Sequence, residues 1–235
     1  MENRDMEKPK LSEATQIIVH QLKTPISAIK GYLEALLDGD QGRVNAGQAE
    51  YLKDALENIK RSSRFLDELF DVFKIEENKF DMKFKPVSLP KITKEVLREI
   101  SCWFKAHNCK VIFEKPKKMS KVMADPQRIR QVVQNLIINA VIYKDGKGRV
   151  ELKLEEKGKN ILFSCQDDGI GIPSSDFKKV FSKFYRSETA LNINPSGTGL
   201  GLFISKAIIE LSGGKIWFES KEGKGTTFYF TLPIK

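Results

Sequence analysis

The sequence predicts an all-α helical hairpin followed by an α+β two-layer sandwich, on three observations. Apolar residues recur at steps of three or four through two long segments near the N-terminus. Near residue 80 the texture changes to short strand-like runs alternating with helices. Glycine-rich segments then separate strand from helix signals in the second part, and no internal repeat or low-complexity tract competes with this division.

The first helix is expected over residues 11–38, where Ile18, Leu22, Ile26, Ile29, Leu33 and Leu36 form one stripe. Residues 39–47 (GDQGRVNAG) break it with three glycines and an asparagine. A second helix follows, in which Leu52, Ala55, Ile59, Ser62, Leu66, Leu69 and Phe73 keep a three-four alternation, with a second apolar edge at Leu56, Phe65 and Phe70. Two such helices cannot bury their stripes on each other alone. A second copy completing a four-helix bundle is therefore expected, against the alternative that the hairpin packs on the rest of its own chain.

In the second part, residues 79–87 read as strand-like, with Pro86 and Pro90 punctuating the start of a helix over 91–106 and a strand over 110–114. Asp125 then caps a helix that Pro126 opens and that runs to about Tyr143. Strands are expected over 149–155 and 160–166, a last helix over 201–212, and a closing hairpin of 215–220 with 226–232. The expected domains are a tail over 1–10, the hairpin over 11–77 and the sandwich over 80–235.

Composition narrows the function without choosing it. Of 235 residues, 40% are hydrophobic, enough for a core, and 40 Lys and Arg against 31 Asp and Glu give a formal charge of +9. That charge suits phosphate-bearing ligands, an acidic protein face or an anionic membrane. The basic residues are spread along the chain and not clustered with aromatics, so nucleic acid is not an expected partner. Cys102, Cys109 and Cys165 are odd in number, form no CxxC pair and have only two histidines for company, which disfavours a disulfide framework or structural zinc and fits a reducing cytoplasm. The longest apolar stretch, 136–143, falls far short of the ~20 residues of a membrane span, and the first ten residues lack a signal segment.

Four constellations carry chemistry. His20 stands in VHQLKTP with Thr24 four residues on, so both share a helical face, and Pro25 is expected to kink the helix beside them. A lone helical histidine is more often a merely exposed residue; on the wet side of an apolar stripe, its imidazole is placed to meet a phosphoryl group. Asn135 and Asn139 share a face of the capped helix, where amide oxygens either complete a Mg²⁺ shell beside a nucleotide or bridge within a core. Asp167 opens DDGIGIP, whose Gly169 and Gly171 let backbone approach a flat ring while the carboxylate accepts from an exocyclic amine. Gly197, Gly199 and Gly201, with Thr198 and Leu200 between them, open the last helix and aim N–H groups at an anion. It is not GxGxxG, and no βαβ unit encloses it, so a dinucleotide fold is disfavoured. Between the glycine clusters lie Phe181, Phe184, Tyr185 and Arg186, then a polar stretch over 187–196 that reads as a mobile lid, with Phe181 its core anchor.

These blocks stand in the order and spacing of the catalytic half of a sensor histidine kinase, and the resemblance covers nearly the whole chain. HQLKTP resembles the phosphoacceptor box, RIRQVVQNLIINAVIY the N box, DDGIGIP the G1 box, VFSKFYR the F box and GTGLGL the G2 box. The resemblance implies a dimerisation and phosphotransfer hairpin followed by an ATPase domain of the histidine-kinase type. It implies that His20 is phosphorylated from ATP, that Asn139 holds Mg²⁺ with Asn135 in support, and that Asp167 reads adenine. Tyr143 would line the nucleotide pocket with Gly169, Gly171 and Phe184, and Gly197, Thr198, Gly199, Leu200 and Gly201 would shape the phosphate lid. The implied partners are a second copy of the chain, the receiver domain of a response regulator and a separate sensor protein, unless the chain is a fragment of a longer sensor.

Two departures stand out. Many family members carry Glu or Asp after the phosphoacceptor, where this chain has Gln21, which orients by hydrogen bond but accepts no proton. A Lys or Arg common three positions after the magnesium asparagine is Ile142 here, with Lys144 and Lys147 as nearby substitutes. Thr24 matches the family position that sets water for dephosphorylating the partner, implying a phosphatase activity. Asn135 occupies the place of the glutamate that related ATPases use on water, which favours transfer to a side chain over hydrolysis. The rival reading is a catalytically weakened ATP-binding scaffold or phosphatase.

Overall fold

The computed structural model describes residues 11–114, 116, 118–144 and 148–234, the side chains of 11–16 excepted. The proposed 1–10 tail and Lys147 lie outside the described residues. The chain divides into two compact units at Phe80 and Asp81.

In the first unit α1 spans Leu11–Asp38 and α2 spans Ala46–Glu76. α1 continues through Pro25, whose missing N–H leaves the carbonyl of Gln21 without its usual partner one turn back. The turn between the helices uses Gly39 and Gly42, both at positive φ (83° and 104°), where a side chain would be strained. Gly47, expected in the break, instead lies in the first turn of α2, because Asn45 starts the helix with a capping box: Asn45 Oδ1 accepts from Gln48 N, and Gln48 Oε1 accepts from Asn45 N, each at 2.9 Å. The helices are joined by Lys23, which pairs with Asp67 at 2.5 Å and lies 5.0 Å from the centre of the Phe70 ring.

The burial pattern in a single copy differs from the expected stripes at two places. Ile18 and Leu22, assigned to a buried stripe, are 56% and 46% exposed in the single chain, and Val19 is buried in their place. In α2 the buried apolar positions are Leu56, Leu66 and Val72: one from each expected edge and one from neither, with the other members of both edges half-buried or exposed. A stripe that needs a partner helix stays open in one copy.

The second unit is a five-stranded sheet with helices on one face. Its elements are β1 (Lys85–Val87), α3 (Leu89–Glu99), α4 (Ser101–Ala106), β2 (Cys109–Glu114), β3 (Val122–Ala124), α5 (Pro126–Ile142), β4 (Gly148–Lys157), β5 (Asn160–Asp167), α6 (Glu188–Ile193), α7 (Gly201–Leu211), β6 (Lys215–Lys221) and β7 (Gly225–Pro233). The order is β2-β4-β5-β7-β6, with β2 parallel to β4 and the other neighbours antiparallel, while β1 and β3 form a separate antiparallel pair. Strict alternation in β7 seals Phe228, Phe230 and Leu232 on the core side and leaves Thr227, Tyr229 and Thr231 half-exposed. Phe163 of β5 stacks on Phe230 at 4.7 Å under α5, whose Val132, Val133, Leu136 and Ile137 are fully buried.

Four elements differ from expectation. The strand read over 79–87 shortens to β1, since only Lys85–Val87 finds a partner strand, β3, itself unforeseen. The helix read over 91–106 breaks at Ile100 (φ −99°, ψ 13°) into α3 and α4. A short helix, α6, lies within the polar stretch read as a mobile lid, started by Ser187 Oγ accepting from Ala190 N at 3.2 Å.

Candidate functional site

α5 is the spine of the site. Asp125 Oδ1 accepts from Gln127 N (2.9 Å) and Arg128 N (3.2 Å), and its Oδ2 accepts from Lys83 N (2.8 Å), so both ends of this carboxylate are used before the helix begins. The far end of α5 carries Asn135 and Asn139 on one half-buried face. Asn135 Nδ2 donates to Ser205 Oγ of α7 at 3.0 Å, a pairing invisible at sequence level because the partners are 70 residues apart. Ile142 ends α5, and the stem of Lys144 lies over Gly148 at the start of β4, where an added Cβ would meet its Cγ at 3.0 Å.

The G1 segment closes over the end of that helix. Tyr143 caps α5, and its backbone carbonyl accepts from Ile170 N at 3.0 Å while lying where a side chain on Gly169 would go. Gly171 (φ +69°) passes equally close to the backbone of Lys221. Asp167 is buried at the end of β5. Its Oδ1 accepts from Gly169 N (2.9 Å) and Thr226 N (3.1 Å). Burial nevertheless pushes its carboxyl up to about 6, the two backbone donors pulling the other way and Asp168 adding repulsion. Asp168 itself accepts from Arg149 N at 2.8 Å and so ties G1 to β4. Thr226 and Ser205 are site neighbours that sequence reasoning missed; nothing in their local pattern sets them apart from ordinary strand and helix residues.

The glycines of G2 each serve a different neighbour. A Cβ on Gly197 would lie 3.1 Å from Cζ of Arg186; one on Gly199 (φ +70°) would press on the backbone of Phe184; one on Gly201 would overlap the amide of Asn135. Phe184 adopts the left-handed conformation at φ 60° and is 55% exposed, whereas Phe181 packs toward Phe218 and Phe228 (5.9 and 6.5 Å) as the anchor of its segment. Thr198 Oγ1 accepts from Leu200 N at 3.2 Å, and Leu200 is sealed in the core, so it presents only backbone to a ligand.

The structure thus brings Asn135, Tyr143, Asp167, Gly169 and the Gly197–Gly201 run together around α5 within the second unit. His20, Gln21 and Thr24 lie in the first unit, exposed on α1. Among the described residues no cluster of three or more His, Cys, Asp or Glu is arranged to hold a metal, and no helix is long and apolar enough to cross a membrane. A divalent ion at Asn139 would accordingly draw most of its oxygen ligands from phosphate and water, a donor set that suits Mg²⁺ brought with a nucleotide.

Comparison with known proteins gives the geometry a context. Residues 10–78 match the His Kinase A (phospho-acceptor) domain, and residues 124–235 match the histidine kinase-, DNA gyrase B-, and HSP90-like ATPase family. The chain is 31% identical over 91% of its length to the circadian input-output histidine kinase CikA of Synechococcus elongatus and 32% identical over 93% to the sensor histidine kinase WalK of Bacillus subtilis. It spans 29% and 36% of those proteins. Among solved structures, the catalytic domain of histidine kinase ThkA is 33% identical with a TM-score of 0.58, covering 65% of this chain and 97% of that domain. ThkA in complex with the response regulator protein TrrA aligns at 26% identity and a TM-score of 0.60, over 95% of this chain and 61% of that one.

Proposed function

The chain belongs to the histidine kinases, and from that premise we propose that it phosphorylates itself on His20 from ATP and passes the phosphoryl group to an aspartate of a response regulator. The observation that carries this reading is that Gly201 of G2 packs against Asn135 of α5 while Gly169, bonded to Asp167, packs against Tyr143 at the end of that helix, with an exposed imidazole in the first unit. The division of labour follows: the hairpin over 11–77 is substrate and docking surface, and the domain over 80–235 binds ATP.

In this reading Asp167 accepts the exocyclic amine of adenine, Gly169 and Gly171 let the backbone approach the ring, and Tyr143 and Phe184 line the pocket. Asn139 holds Mg²⁺ with Asn135 beside it, and the N–H groups of 197–201 face the phosphates. ATP supplies an activated phosphoryl group. The imidazole of His20 takes it, an N–P bond forming as the bond to the leaving diphosphate breaks, and the ring proton departs to solvent or a neighbouring acceptor. Gln21 orients the ring by hydrogen bonding, and Thr24 sets the water that removes phosphate from the regulator.

The apolar residues left exposed on α1 support a homodimer, and the ThkA–TrrA complex supports a receiver domain as partner. A separate sensor protein and a cytoplasmic location complete the proposal. The test is incubation of the wild type and His20→Ala with γ-labelled ATP, followed by candidate receiver domains. Acid-labile label on the wild type alone, chased onto a receiver, is the expected result. ATP binding without label on His20 would favour the scaffold or phosphatase reading that Gln21 and Ile142 suggest.

A further inference from the structure

We propose that Arg186 is a positioning residue for the nucleotide lid: its guanidinium gathers the carbonyls of Ala190, Asn194, Pro195 and Gly197 and holds segment 187–197 in one shape before nucleotide arrives. The inference rests on the reading of the second unit as an ATP-binding domain.

Among the described residues the other bonds within the segment are local, from the Ser187 cap to the backbone bonds of Leu191, Asn194 and Gly197. α6 has six residues, too few to persist on its own. Its apolar side chains do not supply the lack, since Leu191 and Ile193 are 44% and 41% exposed. What the segment offers is backbone oxygen. Nη1 of Arg186 donates to the carbonyls of Gly197 (2.9 Å) and Pro195 (3.2 Å), and Nη2 donates to those of Ala190 (2.8 Å) and Asn194. Converging carbonyl dipoles repel one another unless a cation sits among them. A planar guanidinium with five donors in a fixed fork meets four acceptors from different directions, which the compact ammonium of lysine does less well.

The G2 glycines connect this clasp to the site. The vacant side-chain space at Gly197 is filled by the guanidinium, with Cζ at 3.1 Å, Nη2 at 3.2 Å and Nε at 3.3 Å from where a Cβ would be. Gly199 rests on the backbone of Phe184, two residues before Arg186. One short stretch of the F box, 184–186, therefore fixes both the carbonyls of the lid and the start of the N–H run that opens α7. A lid already shaped loses less conformational freedom when it closes on a ligand, so the clasp acts on nucleotide affinity more than on the chemical step.

The experiment compares the full chain with Arg186→Ala and Arg186→Lys. Amide hydrogen exchange over 187–197 is followed without nucleotide, and KM and kcat for ATP are measured in autophosphorylation. Arg186→Ala is expected to speed exchange in the lid about tenfold with β5 and β7 unchanged, and to raise KM about tenfold with kcat within about twofold. Arg186→Lys recovers only part of the lid protection, and added methylguanidinium restores more of it to Arg186→Ala. Unchanged lid exchange together with a raised KM would overturn the clasp and make Arg186 a direct ligand contact. Loss of protection across the whole sheet would overturn it as well, making Arg186 a general support of the fold. If the wild type binds no ATP, the underlying reading falls, whereas the exchange comparison, made without ligand, still decides whether the clasp exists.

Discussion

The amide of Asn135 occupies the space that a side chain at Gly201 would take, and it donates from Nδ2 to Ser205 Oγ at 3.0 Å. The N box and the G2 box are thereby one packed unit, α5 holding α7 through a side chain that is itself a candidate ligand.

A double-mutant cycle measures that packing. Gly201→Ala pushes the Asn135 amide aside and is expected to cost about 1–3 kcal/mol of stability. Asn135→Ala leaves the hydroxyl of Ser205, a residue only 1% exposed, without this donor and is expected to cost about 1–2 kcal/mol. Because removing the amide makes room for the new methyl, the double variant should lose clearly less than the sum in urea denaturation. Additive losses would mean that the two residues do not share the space.

Asp167 makes the second unit pH-sensitive in two opposed ways. Burial raises its carboxyl from 3.8 to about 6 in the fold, so its favourable contribution is complete below about pH 4 and is lost as pH rises through about 6. The ligand-free protein should therefore gain stability relative to Asp167→Asn as pH falls from about 7 to 5, by about 1.3 kcal/mol. Adenine binding runs the other way, since only the ionised carboxylate is a pure acceptor: ATP affinity should weaken below about pH 6 in the wild type and be low and flat in Asp167→Asn. Urea denaturation across this range checks the first and isothermal titration the second; an ATP affinity independent of pH would remove Asp167 from adenine recognition.

Replacing Gln21 by Glu restores a proton acceptor beside His20. Autophosphorylation at saturating ATP should rise by about tenfold or more, the scale of a positioned general base, with KM for ATP unchanged because position 21 lies in the other unit. No gain in rate would show that another group already takes the proton.

The open face of α1 predicts its own partner. With Leu22 46% and Ile29 43% exposed, replacing both by Glu should convert a dimer to a monomer in sedimentation equilibrium while leaving ATP binding by the second unit intact. A dimer that survives both charges would place the interface elsewhere.

Much of the fold was legible because helices and strands are written in local periods. The stripe of α1 gave its bounds, Leu11–Asp38, and the Asp125-Pro126 pair gave the start of α5. Where the local signal is incomplete, tertiary contact decided. β1 exists only where β3 lies beside it, and the split at Ile100 has no proline or glycine to announce it. α6 rests on Ser187 and on carbonyls collected by Arg186, neither of which a polar stretch advertises.

The same boundary runs through the site. Spacing alone put Asn135 and Asn139 on one face and set the glycines of G2 at alternate positions, since these are properties of neighbouring residues on one helix or turn. Why each glycine is there was decided by the fold: Gly197 for a guanidinium, Gly199 for the backbone of Phe184, Gly201 for an amide on another helix. The titration of Asp167 likewise depends on burial and on Thr226, 59 residues away. Residue type and short-range period determine which groups are available; the dense packing of distant segments determines which of them meet, because close contact and desolvation exist only once the chain has folded.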